Sequence, residues 1–167
     1  MLHIAKSLRD LNFSALMEVY LEGNREKAES DFPDLSTEQG IYQAEQDFYQ
    51  YLREVFFRTP GSVYCLWQEN GRYLSALRLE HYKDGLLLEA LETAPEHRRK
   101  GYAEALLREV LPGNGKIYSH VHKHNIPSLR IHEKLGFRQI SETAAYIDGS
   151  VNDRCCTLCY DPGQAGK

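Results

Sequence analysis

Residues 93–107 read Thr-Ala-Pro-Glu-His-Arg-Arg-Lys-Gly-Tyr-Ala-Glu-Ala-Leu-Leu. The apolar run Leu86–Leu91 (LLLEAL) ahead of this stretch has strand character. After Pro95 the period changes, and Ala103, Leu106, Leu107 and Val110 fall on one helical face. Pro112-Gly113-Asn114-Gly115 breaks the helix, and IYSHVH, 117–122, reads as a second strand. The unit is strand, loop, helix, strand. Arg98, Arg99 and Lys100 fall on the loop and first turn of the helix, where the free N–H groups already carry partial positive charge. Three cations there are electrostatically misplaced unless an anion binds, and a phosphate would resolve the conflict. Gly101 and Ala103 are small enough for a diphosphate to approach the main chain. A solvated basic helix start accounts for the same residues. No GxGxxG and no GK[ST] is present, which argues against nicotinamide cofactors and nucleotide hydrolysis.

Upstream, Phe13, Leu16, Met17, Tyr20 and Leu21 predict a helix over 9–21 capped by Asp10. The polar stretch 22–31 (EGNREKAESD) reads as a link to a second helix. Ser36 and Gln39 have capping-box spacing there, and Ile41, Ala44, Phe48, Leu52 and Val55 form its stripe. Pro60-Gly61 ends that region. Strands at 63–67 and 72–79 flank Asn70-Gly71, a strong hairpin signal. Downstream, Pro127 sits in the first turn of a helix that Gly136 ends, and FRQI (137–140) and RCCTLCY (154–160) read as closing strands. With a short N-terminal strand, this order predicts an α/β fold: a mixed, mostly antiparallel sheet of six to seven strands with helices on both faces.

The chain has 167 residues, a net charge of −4 and 42% hydrophobic residues, which suits one domain with a real core. We expect that domain over 1–161 and a disordered tail at 162–167. The acidic balance argues against nucleic acid as a partner. No run reaches the ~18 apolar residues of a membrane span, and no signal peptide is evident, so a cytoplasmic protein is expected. Cys65, Cys155, Cys156 and Cys159 read as buried strand thiols, not as a disulfide framework or a zinc site.

Pro95-x-x-Arg98-x-x-Gly101-x-Ala103 resembles the acetyl-coenzyme-A signature of the GNAT superfamily of N-acetyltransferases. Asn125, Ser128 and then His132-Glu133-Lys134-Leu135-Gly136-Phe137 resemble its second signature, and the two together span about 86–140. The resemblance implies a three-layer GNAT-like fold and an acetyl-CoA-dependent N-acetyltransferase acting on a primary amine of a small molecule or peptide, as a monomer or homodimer. It places acetyl-CoA, the acyl donor, in the splay between the strands at 86–93 and 117–122. The main chain of Leu91, Glu92 and Thr93 would pair with the pantetheine arm. The amides of Arg98, Arg99, Lys100, Gly101, Tyr102 and Ala103 would hold the diphosphate, with Asn125 and Ser128 at the start of the next helix. The rival reading is an acyl-CoA-binding sensor without turnover.

An amine attacking a thioester needs a proton acceptor, an oxyanion donor and an acid for the thiolate. Relatives carry a tyrosine acid where this chain has His132, which shares a helical face with Asn125 and Ser128. His132 is therefore the candidate acid, or else a packed histidine. His120, His122 and His124 alternate along a strand, a poor geometry for one metal ion, and no metal site is expected. His120 is the first candidate base and Glu89 the second, although Glu89 can also be read as facing solvent. Tyr42, Phe48, Tyr49, Tyr51 and Tyr146 are candidate acceptor-pocket walls, or ordinary packing residues.

Overall fold

The computed structural model describes residues 1–164. The chain begins with strand β1 (Leu2–Ala5), followed by helices α1 (Phe13–Val19), α2 (Leu21–Asp31) and α3 (Thr37–Glu54). A meander of β2 (Val63–Glu69), β3 (Arg72–Tyr82) and β4 (Gly85–Thr93) comes next. Helix α4 (Tyr102–Val110) carries the chain to β5 (Ile117–His122), and α5 (Ile126–Lys134) leads to β6 (Arg138–Ser141). A small hairpin of β7 (Ala144–Ala145) and β8 (Val151–Asn152) precedes β9 (Cys155–Tyr160).

Seven strands form one sheet in the order β1-β2-β3-β4-β5-β9-β6, and β7 pairs with β8. Among the described residues only β4 and β5 run parallel, and every other pair is antiparallel. The parallel step is where α4 crosses over, because a hairpin cannot join parallel neighbours. One face buries Leu16, Leu52, Phe56, Tyr64 and Leu66 beneath α1 and α3. The other buries Leu77, Leu88, Leu106, Leu107, Ile117 and Val121 beneath α4 and α5. This is the expected α/β architecture, with helices on both faces.

Local chemistry explains the element boundaries. The Ser36–Gln39 capping box opens α3 as its spacing predicts. Asn70 and Gly71 both take positive φ (50° and 77°), as a two-residue hairpin turn requires. The N-terminal helix differs from expectation, because Asn12, not Asp10, caps α1 by accepting from the Ala15 N–H at 3.2 Å. Asp10 instead accepts from the Lys6 N–H (3.1 Å) and Ser7 Oγ (2.9 Å) in the preceding turn.

The polar stretch 22–31 is not a link but helix α2. Its sequence shows no apolar stripe because its contact with α3 is made through small groups: a Cβ on Gly40 would lie 2.8 Å from Ala28 Cβ. Lys27 and Asp31 add an i,i+4 pair. The β7–β8 hairpin is too short for period-two patterning to reveal. Pro162 to Gln164, where the sequence suggests a disordered tail, form a turn closed by the Gln164 N–H on the Asp161 carbonyl at 3.0 Å. The rest of that tail, 165–167, lies outside the described residues.

Candidate active site

Two local devices shape the seam between β4 and β5. At its closed end, Gly85 lets the strands meet: a Cβ there would stand 2.3 Å from the Lys116 carbonyl oxygen, which accepts from the Leu86 N–H at 3.0 Å. The parallel ladder then has three rungs, Leu86–Ile117, Leu87–Tyr118 and Leu88–Ser119. Beyond them β4 bulges. The β3–β4 register shifts between Ala76 and Arg78, and Ala90 adopts φ 52°, a left-handed conformation that costs a non-glycine residue about 1–3 kcal/mol. Past Leu88, β4 no longer pairs with β5, and the main chain of Leu91, Glu92 and Thr93 has a free edge toward that strand.

The loop after β4 leads to a helix start without a side-chain cap. Gly101, the N-cap of α4, has φ 86°; among the described residues nothing lies within 4 Å of where its Cβ would be, and no side chain accepts from the first turn. Arg99 is also left-handed, at φ 61°. Successive turns of this kind aim N–H groups into one concavity suited to an anion. The side chains modify the sequence expectation, because Arg98 is matched by protein carboxylates: Glu22 at 2.5 Å and Glu92 at 3.7 Å. Lys100 Nζ donates to the Glu96 carbonyl at 3.1 Å. Two of the three cations are thus engaged within the protein, and the main chain of 99–103 is where an anion could be held. Asn125 caps α5 by accepting from the Ser128 N–H at 3.2 Å, which commits its carbonyl oxygen and leaves its NH2 for other partners.

The catalytic candidates lie on opposite faces of the sheet. His132 is 1% exposed on the α5 side, with Nδ1 2.8 Å from the Ser128 carbonyl and Nε2 2.9 Å from Ser119 Oγ. A carbonyl can only accept, so Nδ1 carries the proton, and in the neutral ring Nε2 accepts from the Ser119 hydroxyl. Burial pushes the imidazole below its ordinary pKa. Held on both nitrogens, His132 ties α5 to the last rung of the seam, an arrangement that suits the packed histidine of the two sequence readings better than an imidazolium acid.

His120 lies on the α1–α3 face. Its Nε2 is 3.1 Å from the Ala145 carbonyl and its Nδ1 3.0 Å from Thr157 Oγ1, whose own proton goes to the Thr143 carbonyl at 2.7 Å. Both nitrogens thus face acceptors, an arrangement that a doubly protonated ring satisfies. Against this, burial lowers the His120 pKa, while the Ala145 bond and the Glu89 charge raise it. Tyr82 and Tyr146 stand edge-on to the ring at 5.6 and 5.0 Å, and the β7–β8 hairpin supplies both Ala145 and Tyr146.

Glu89 is on the same face as His120 and does not point straight into solvent. It stands opposite Arg78 in the register, with an oxygen 3.8 Å from that guanidinium. Arg78 in turn lies over Phe48, Tyr51 and Phe56 at 5.8, 5.3 and 5.6 Å. Glu80, 7% exposed, completes the cluster; burial and a hydrogen bond shared with Glu89 push its carboxyl up to about 7. Two carboxyls next to one guanidinium make a site that retains a proton. Of the expected acceptor-pocket aromatics, Phe48, Tyr51 and Tyr146 belong to this region, whereas Tyr42 is 63% exposed.

Sequence reading missed Arg78, Glu80, Ser119 and Tyr20. A signal existed for two of them: Arg78 and Glu80 are charged residues alternating with Leu77 and Leu79 inside an apolar strand. A hollow of about 570 Å³ lies between α1, α3 and residues 94–96, lined by Glu45 and by Arg72 with its partners Glu18 and Glu96. A groove of about 1420 Å³ between α5, β6 and β9 contains none of the predicted site residues.

The sequence model of the Acetyltransferase (GNAT) family matches residues 21–137, most of the chain and all of the seam. The chain belongs to the GNAT acetyltransferase family. This GNAT protein is an acyltransferase. No curated protein matches its sequence.

Its fold is shared with solved structures of low identity. The PaiA N-acetyltransferase of Thermoplasma acidophilum, solved with coenzyme A, is 16% identical, with 96% of this chain and 99% of that one covered and a TM-score of 0.58. The ribosomal-protein-S18-alanine N-acetyltransferase of Escherichia coli is 19% identical over 100% and 97% of the two chains, with a TM-score of 0.58. A chimera of the Vibrio cholerae spermidine N-acetyltransferase SpeG and hSSAT is 14% identical over 99% and 98%, with a TM-score of 0.59. Among the described residues, no helix of the GNAT chain is long and apolar enough to cross a membrane.

Proposed function

We propose that this GNAT acetyltransferase transfers the acetyl group to a primary amine of a small molecule or peptide by direct attack on the thioester. The observation that carries the reading is the unpaired edge of β4 next to the uncapped start of α4, which offers free main-chain groups beside an anion-binding turn. Residues 91–93 would hold the pantetheine arm, and the amides of 99–103 the diphosphate. The donor supplies an acetyl carbonyl already activated as a thioester.

The acceptor would enter from the α1–α3 face. Where Glu80 ionises, it and Glu89 outweigh Arg78 and favour a cation there, and Tyr82, His120 and Tyr146 line a wall that an ammonium can approach. As a base, His120 takes a proton on Nδ1, which already faces an oxygen able to accept it. Glu89 is the second proton acceptor, next to Arg78. His132 serves by position, holding Ser119 and α5 against the end of the ladder. Its lack of a free nitrogen is also the observation that favours the rival reading, a sensor that binds acyl-CoA without turnover.

The deciding experiment measures thiol release from acetyl-CoA with a panel of amines, peptides and aminoglycoside antibiotics, alongside the melting temperature with acetyl-CoA. A raised melting temperature with release for a subset of amines is the expected result. A raised melting temperature with no release across the panel supports the sensor, and no shift at all defeats the reading of the seam.

A further inference from the structure

The bulge in β4 is held from outside the sheet. Tyr20, at the joint between α1 and α2, donates its hydroxyl to the Ala90 carbonyl at 2.7 Å and accepts from Tyr64 of β2 at 2.8 Å. Four described non-glycine residues have positive φ: Asn70, Lys83, Arg99 and Ala90. The first three are in turns or loops, where such angles are ordinary. Ala90 alone is inside a strand, and its methyl group offers nothing to anchor it there.

The direction of that bond matters. No described peptide is cis, and in a trans peptide the C=O and N–H point opposite ways. By fixing the Ala90 carbonyl toward the α1–α3 face, Tyr20 also fixes the Leu91 N–H, which belongs to the same peptide plane and points away from Tyr20. Leu91 lies just beyond the last rung of the seam, where β4 has parted from β5.

We propose that Tyr20 is a positioning residue, whose hydroxyl holds the 90–91 peptide so that the Leu91 N–H is aimed at the thioester oxygen as negative charge develops on it. The inference rests on the reading of the seam as the donor site. It makes the joint of the first two helices part of the reaction geometry, although Tyr20 touches no reacting atom. Burial and the neighbouring Tyr64 keep the Tyr20 phenol protonated well above the ordinary range, so it remains a donor at any working pH. Phe48 and Tyr64 stand edge-on to its ring at 5.9 and 6.5 Å and fix its orientation.

The test uses the full-length protein, acetyl-CoA and the most active amine of the panel above. Tyr20→Phe keeps the ring and deletes the hydroxyl. The expected result is a fall in kcat of about 10- to 100-fold, less than the roughly 100- to 1000-fold that removing an oxyanion donor costs, with KM for acetyl-CoA and the acetyl-CoA melting shift retained. Adding Ala90→Gly should restore at least about fivefold of that loss, because glycine holds a left-handed φ without help. Unchanged kcat in Tyr20→Phe, or a loss that Ala90→Gly does not relieve, overturns the role of Tyr20. Absence of an acetyl-CoA melting shift in the unsubstituted protein is a different failure, that of the donor-site reading itself.

Discussion

Replacing Glu80 by Gln should stabilise the protein, and by an amount that depends on pH. Glu80 is 7% exposed, forms no ion pair within 4 Å among the described residues, and shares a proton with Glu89 beside the single Arg78. Its carboxyl titrates near 4.5 in the unfolded chain and at about 7 in the folded one. Between those values the folded state holds more protons than the unfolded state, so wild-type stability falls as pH rises through that window. A midpoint displaced that far corresponds to about 3 kcal/mol at most, and relaxation of the cluster leaves an expected 1–3 kcal/mol. Gln mimics the protonated acid and cannot ionise. Urea denaturation at pH 5, 6.5 and 8 should therefore show a difference between the two proteins that is small at pH 5 and grows to about 1–3 kcal/mol in favour of the variant at pH 8. Titrating groups outside the cluster, such as His120, are common to both proteins and cancel to first order. A difference that does not change with pH, or a wild type that is the more stable at pH 8, would refute the proton-sharing arrangement.

Gly101→Val forces a β-branched residue into φ 86° and should cost about 1–3 kcal/mol of stability while abolishing the acetyl-CoA melting shift, both readable in one thermal titration. Ser119→Ala leaves His132 Nε2 buried without its donor and should cost about 1–3 kcal/mol in a denaturant titration; an unchanged midpoint would show that the bond contributes nothing. If His120 is the base, its burial-lowered pKa places the acidic limb of kcat/KM below pH 6.5, with a plateau above it. His120→Gln should remove that limb, and a limb that survives the substitution transfers the role to Glu89.

Much of the fold was legible because the decisive signals are local. The capping box at Ser36, the Asn70-Gly71 turn and the change of period after Pro95 each act through a few neighbouring residues. Helix α2 was not legible, because close packing of Ala28 on Gly40 replaces an apolar stripe and leaves no periodic trace. The donor side proposed here rests on a glycine and small residues close together in the sequence, which would let a ligand approach the main chain. The acceptor side could not be read in this way, since Arg78, Glu80, Glu89 and His120 come together only through strand register between segments as much as 42 residues apart. Motif position indicated His132 as an acid, but a helical face does not show what lies across it, and Ser119 lies there.

The bulge and the uncapped turn have a consequence for how such a protein can change. Main-chain amides and carbonyls are common to nearly all residues, so a donor site made of them survives substitution at most of its positions, provided the few backbone angles persist. Fold relatives at 14–19% identity show how far sequences can drift around one architecture. The charges and aromatics on the other face have no such protection, and a single exchange at Glu89 or Tyr146 redraws what they admit. Saturation mutagenesis scored separately for acetyl-CoA binding and for amine preference should find the first sensitive at a few angle-setting positions such as Gly101, and the second sensitive to side-chain chemistry across the α1–α3 face. One half of the protein would then be a fixed tool and the other an adjustable one.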